Sequence, residues 1–168
     1  NGFTFQQGDI RTTKIKKKYE IILALFHVFS YQVKNQDLDR LFKNARHHLK
    51  MKGVLGFDFW YTPAVNFQKP KIRLLEIKKK NFKLMRLAEP TILKKKIVKV
   101  NYTILIKNLF NKKIDIIKES HLMRHFSLTE LSRLFVKHRF ICLHTRELSS
   151  NRKPGKKTWG VFCLLQKY

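Results

Sequence analysis

The chain has 168 residues, 43% of them hydrophobic, and carries a formal net charge of +26 from 37 Lys and Arg against 11 Asp and Glu. This length suits one domain and is short for two, and the apolar content is ample for a folded core. No apolar run reaches the length of a bilayer-spanning helix, and the sequence holds no zinc-type Cys/His spacing, phosphate loop or hydrolytic triad.

The start, Asn1-Gly2-Phe3-Thr4-Phe5, has no charged leader and no cleavage site. It also has no initiator methionine, so the segment is expected to begin inside a longer protein. Cys142 and Cys163 lie in apolar, strand-like runs, where buried free thiols are expected rather than a disulfide or a metal pair. A reduced, cytoplasmic setting follows from these readings. The lysines run along the whole chain, from Lys14–Lys18 through Lys78–Lys80, Lys94–Lys96 and Lys112-Lys113 to Lys156-Lys157. Two readings fit them: compositional drift in a chain rich in Ile, Asn and Phe, or a footprint for a polyanion. Non-specific nucleic-acid association at low salt is expected from either.

Phe3–Gln7 alternates apolar and polar and predicts a short strand, broken by Gly8-Asp9-Ile10-Arg11. Tyr19–Phe26 is a continuous apolar run and predicts a strand covered on both faces, as in a parallel sheet under helices. His27, Ser30, Tyr31 and Gln32 then fall just past its carboxyl end, where open α/β sheets bind ligands. Asn35 is the expected cap of a helix running to Lys50, with Leu38, Leu41, Phe42, Ala45 and Leu49 on one face. Lys52-Gly53 predicts a turn into a strand over Val54–Phe59, which brings Asp58, Trp60 and Tyr61 to the same rim as His27 and Tyr31.

Residues 72–118 change texture. Four strand-like segments follow one another without helices, which predicts antiparallel hairpins inserted in the parallel core. His121 and Arg124 follow on a further strand and are expected to point into a pocket. Ser127-Leu128-Thr129-Glu130 is a capping box opening a helix to about His138. Phe140–His144 and Trp159–Leu165 predict a terminal hairpin across the polar loop Ser149–Lys157.

In this order the pieces Gln7-Gly8-Asp9-Ile10-Arg11, Leu25–Gln32, Ala45–Gly53, Phe57-Asp58-Phe59-Trp60-Tyr61, Glu119–Arg124 and Thr158-Trp159-Gly160-Val161 resemble the later part of a class I S-adenosylmethionine-dependent methyltransferase of the small-molecule branch. The resemblance implies an α/β fold over 1–168: a single, incomplete domain with a partial Rossmann-like sheet, an antiparallel β insert and a terminal β-hairpin. It implies S-adenosylmethionine as cofactor, a small-molecule acceptor and no membrane. At matching positions it implies that Asp9 meets the adenine amino group and the Ile10 amide a ring nitrogen. Leu25, Phe26 and His27 would line the cofactor, and Tyr31, Asp58, Trp60 and Tyr61 would face the acceptor. The family's first strand, its glycine-rich loop and its ribose-binding acid would precede Asn1, and the sequence has none of them. Another chain supplying that amino-terminal half, or a homodimer formed through the uncovered sheet edge, is the expected partner.

Read by residue type alone, His27 is either a general base, a cofactor contact or a satisfied turn histidine. Tyr31 and Tyr61 are catalytic or packing aromatics. Asp58 either orients the acceptor or caps the next segment. Three functions stay open: methyl transfer to a small metabolite, a basic module for RNA or another polyanion, and an inactive remnant.

Overall fold

The strand Leu49–Tyr61 (β2) sits where the whole sheet branches. In the computed structural model, which describes residues 2–94 and 96–168, it pairs in parallel with Tyr19–Ala24 (β1) on one side and antiparallel with Gly160–Lys167 (β8) on the other. Asn1 and Lys95, the latter inside a lysine run, lie outside the described residues. Phe140–Glu147 (β7) closes this edge antiparallel to β8. The insert is an antiparallel meander of Arg73–Lys78 (β3), Phe82–Ile92 (β4), Ile97–Asn108 (β5) and Ile114–Phe126 (β6). Only the end of β6 joins the core, where His125 and Phe126 lie parallel to Trp60 and Tyr61 of β2. The result is one open mixed sheet with helices Asn35–His48 (α1), Thr62–Gln68 (α2) and Leu128–Lys137 (α3). The antiparallel insert and the terminal hairpin match the sequence expectation.

Phenylalanine fills the core. Phe29, Phe42, Phe57, Phe59 and Phe126 are fully buried, and Phe29 stacks on Phe57 at 4.2 Å between ring centroids with an interplanar angle of 22°. Phe29 belongs to a short 3-10 turn, Val28–Tyr31, so this stacking pins the loop after β1 onto β2. Half of the expected capping box forms: Ser127 Oγ accepts from the Glu130 amide at the start of α3, while the Glu130 carboxylate accepts from Arg124 and Lys96 rather than from the Ser127 amide. Asp39 of α1 accepts from Lys137 Nζ and lies 2.8 Å from His138 Nε2, which ties α1 to α3. At the other end of α1, the Arg46 guanidinium donates to the Arg139 and Tyr168 carbonyls, and Lys167 Nζ donates to those of Arg46 and Leu49.

Several expectations fail for identifiable reasons. Phe3–Gln7 is not a strand: none of the described residues pairs with it, and Phe3 and Phe5 are exposed. β1 is not covered on both faces. Among the described residues it pairs only with β2, and Ile21 and Leu23 stand 59% and 56% exposed. Asn35 does not cap α1; Lys34 holds that position, and the Asn35 side chain accepts instead from Arg124. Lys52-Gly53 does not precede a strand but lies inside β2, where Lys52 is left-handed (φ 59°) and the register with β1 shifts. Cys163 is buried as expected, but Cys142 is exposed and reaches Thr145 Oγ1 at 3.3 Å. The helix α2 escapes a reading by apolar periodicity because it is one short segment, and its only mark is Pro63 in the first turn.

Two measurements test this packing. Phe29→Ala should cost about 3–5 kcal/mol in urea unfolding, since it removes a stacked ring from a closed cluster. His125 is buried at the joint between insert and core, with Nδ1 2.9 Å from Thr62 Oγ1. Burial, aided by Lys96, lowers its pKa from 6.5 to about 4. The folded state therefore takes up this proton later than the unfolded chain. The stability gained is complete above pH 6.5 and is lost as the pH falls towards 4. Stability measured from pH 7 to pH 4 should fall by roughly 2–3 kcal/mol more than in His125→Gln.

Candidate functional site

The turn after β1 is built against the local preferences of its residues. Phe26 and His27 both have φ of 61°, a left-handed conformation that non-glycine residues adopt only under constraint. The constraint is Asp58, which is 1% exposed and lies on β2 beside the end of β1. Its carboxylate accepts from the His27 amide at 3.0 and 3.2 Å. The His27 ring packs back over the same group, with Nδ1 2.7 Å from Asp58 Oδ2 at an angle too bent for a good hydrogen bond. Ser30 is fully buried and continues the chain of contacts: its amide donates to the His27 carbonyl, and its hydroxyl accepts from the Trp60 amide at 3.0 Å.

The 3-10 turn then delivers Tyr31 to the insert. Its hydroxyl lies 3.0 Å from His121 Nδ1, and His121 Nε2 lies 3.0 Å from Glu119 Oε2. Glu119 and His121 are two apart on β6, so they share a face of the strand. The carboxylate holds the Nε2–H tautomer, leaving Nδ1 to accept from the tyrosine. Tyr31 is half-exposed, and its pKa is raised, by burial first and by the neighbouring Tyr102 and Glu119. Arg124 departs from expectation. Three residues beyond His121, it faces the other way and donates to the Val33 carbonyl, Asn35 and Glu130. Tyr61 has its pKa raised by burial and packs on the phenylalanine core.

Between β2 and the insert lies a cavity of about 920 Å³. Trp60 and Trp159 meet edge to face in its wall at 5.4 Å, and Tyr102 divides it from His121, whose ring centroid is 5.3 Å away. His27 stands behind Trp60 at 6.3 Å. The structure thus gathers His27, Asp58, Trp60 and Tyr31 around one end of the sheet.

No protein-family model matches the chain, and no curated protein does. Solved structures do match. A Clostridium acetobutylicum S-adenosylmethionine-dependent methyltransferase superposes with a TM-score of 0.81 at 19% identity, over 95% of this chain and 63% of that one. An amino pentose methyltransferase from Micromonospora echinaspora, solved with S-adenosylmethionine, gives 0.72 at 13% identity over 96% and 63%. A sugar N-methyltransferase from Streptoalloteichus gives 0.74 at 14% identity over 96% and 62%. The fold is that of the S-adenosylmethionine-dependent methyltransferases. This chain spans under two thirds of the length of each of these structures.

Asp9 and Ile10 belong to a separate turn, held against α1. Asp9 opens a turn whose carbonyl accepts from the Thr12 and Thr13 amides, and Asn44 of α1 donates to the Ile10 and Thr13 carbonyls. Arg11 engages both oxygens of Asp9 at 2.6–3.1 Å, bridges on to Asp37 at 3.0 Å, and holds the Asp9 carboxyl down at about pKa 2. No hydrogen bond joins Asp9 to His27 or Asp58 among the described residues. Phe26 is 90% exposed and Leu25 partly so, leaving apolar surface free beside the turn.

Glu119 was missed as a site residue by the sequence reading, although Glu-x-His on a strand was the available signal. Asp58→Ala should destabilise the chain by about 2–4 kcal/mol, because the His27 amide loses a charged acceptor. Asp58→Asn should lose less. Urea melts give both values, and hydrogen exchange at His27 and Ser30 should accelerate in step.

Proposed function

We propose that the chain is the acceptor-side portion of a methyltransferase that transfers a methyl group from S-adenosylmethionine to a small molecule. The observation that carries this reading is the convergence of the strained His27 turn, held by Asp58, with an aromatic cavity roofed by the insert. The structural neighbours include enzymes on amino pentose and sugar acceptors, which supports a small-molecule acceptor.

The donor set suits a nucleoside in part. Adenine presents a donor beside an acceptor, and Asp9 followed by the Ile10 N–H, which donates to nothing among the described residues, offers the complement. Arg11 already occupies the acceptor directions of Asp9, so adenine contact requires Arg11 to yield a bond. Leu25, Phe26 and His27 would then border the cofactor. S-adenosylmethionine, when bound, supplies an activated methyl group, and the chain's own residues supply alignment, exclusion of water and a path for the proton. In this reading Tyr31 Oη accepts the proton released by the acceptor while its own proton passes to His121 Nδ1, and Glu119 holds the resulting imidazolium. His27 and Asp58 keep the turn in place, and Tyr61 packs. These roles replace the direct acceptor contacts expected for Asp58 and Tyr61, because Asp58 is buried and its carboxylate is committed to His27.

A further half is part of the proposal. Among the described residues β1 pairs on one side only, with apolar Ile21 and Leu23 exposed, and over a third of the clostridial neighbour's chain lies outside the match. A parallel strand added along β1 would cover that edge. A homodimer through the same edge is the competing arrangement.

Isothermal titration of S-adenosylmethionine should give heat when the chain is mixed with an amino-terminal half built from the clostridial neighbour, and little with the chain alone. No heat in either case ends the proposal. In the reconstituted protein, His121→Asn should lower the rate of methyl transfer by about 10²-fold. Glu119→Gln should lose less and should shift the pH profile of kcat.

A further inference from the structure

The wall of the 920 Å³ cavity combines aromatic rings with cations and contains no carboxylate among its lining residues. Its cations come from separate pieces of chain. Lys69 and Lys71 lie on the connector after α2, Arg73 opens β3, and Arg86 lies on β4. Strand register explains why both arginines reach the cavity. Arg73 pairs with Ala88, which pairs with Tyr102, and Arg86 sits two residues before Ala88, so all four project from one face of the insert. Arg86 is also oriented: its guanidinium stands 5.7 Å from the Tyr102 ring centroid. Of the insert's acids, Asp115 pairs with Lys113, and Glu89, one residue past Ala88, projects from the opposite face. Glu119 is held by His121, and Glu76 pairs with Lys83 on the opposite face. Lys69, Lys71, Arg73 and Arg86 are exposed like the tip lysines, but they line one concavity and pair with no carboxylate among the described residues, which gathers positive potential there; Lys78–Lys80 and Lys112-Lys113, at the distal tips of the insert, line no part of it.

We infer that this cavity takes a ring-bearing anion, its phosphate or carboxylate held by Arg86, Arg73 and Lys71 and its ring packed against Trp60, Trp159 and Tyr102. The inference rests on reading the cavity as the acceptor site and adds the acceptor's charge. Arginine suits both anions because its planar fork meets two oxygens at once. The cavity volume suits a molecule of drug size or smaller. Tyr102 lies between the cations and the Tyr31–His121–Glu119 chain, so an acceptor anchored by its anionic end would extend towards the group that takes its proton.

The test is calorimetric titration of the chain at about 0.15 M salt with 4-nitrophenyl phosphate, benzoate, inorganic phosphate and the uncharged 4-nitrophenyl β-glucoside. The two ring-bearing anions should bind at one per chain, about tenfold tighter than the glucoside or phosphate alone. Arg86→Gln with Lys71→Gln should weaken them by about tenfold or more, while Lys112→Gln with Lys113→Gln changes affinity by less than about twofold. Arg86→Gln must match the parent in circular dichroism; should it not fold, Lys71→Gln, on an exposed connector, carries the comparison. Equal losses from the distal pair, several anions per chain, or preference for an RNA oligonucleotide insensitive to Arg86→Gln would overturn the inference in favour of general charge. The titration needs no S-adenosylmethionine. Anion binding without cofactor binding would sink the methyl-transfer reading alone, and cofactor binding without anion binding would sink only this one.

Discussion

One buried carboxylate determines how the end of the sheet is arranged. Asp58 is on a central strand, and the chain leaving β1 must turn sharply above it. Two successive left-handed residues without glycine are costly, of the order of 1–3 kcal/mol each, and an unpaired buried carboxylate is costlier still. Each cost offsets the other: the carboxylate finds the His27 amide, and the amide fixes the turn. Phe29, stacked on Phe57, locks the next turn into the core, so the direction in which Tyr31 leaves the sheet is set by packing and not by loop preference.

The insert depends on the same point of attachment. Its four strands form a long meander with much exposed apolar surface, and β6 touches β2 through two residue pairs only. So narrow a junction needs reinforcement. His125 bonded to Thr62, and Arg124 bonded to Val33, Asn35 and Glu130, supply it from both sides. The hydrogen bond from Tyr31 to His121 adds a third tie across the cleft. A proton path placed on such a tie would be interrupted whenever the insert lifts from the core, which would couple the chemistry to closure of the roof.

Much of this was legible in the sequence, and the reasons differ by element. The antiparallel insert was legible because four strand-like runs with no helix between them have few other solutions. The start of α3 was legible because Ser127 is a strong N-cap residue, and its hydroxyl accepts from the Glu130 amide. What failed were inferences that needed a neighbour. Phe3–Gln7 alternates like a strand, yet alternation without a partner strand gives no ladder. The run in β1 is as apolar as a covered strand, but only one side is paired, so hydropathy described a requirement that the chain does not itself meet. Arg124 and His121 looked like companions by proximity in sequence, and the period of a strand put them on opposite faces. The commitment of Asp9 to Arg11 was invisible for a related reason, since a carboxylate two residues from a guanidinium closes on it only when the backbone turns there.

The charge of the chain acquires a local meaning from the same logic. A surplus of 26 positive charges spread over a surface says little about a partner, because exposed lysines are screened within about 10 Å at ordinary salt. Position changes their value. Lys78–Lys80 and Lys112-Lys113 end hairpins away from any concavity, while Arg73 and Arg86, though also exposed, are set by strand register on the rim of a cavity walled by indole and phenol rings. Composition set by drift would still leave these two cations with a different environment from the rest. Their environment couples them to one molecule at a time, whereas the tip lysines can only attract many weakly. The distinction between a polyanion-binding surface and an enzyme for a charged small molecule therefore rests on a few side chains at the roof of one cavity, and not on the net charge.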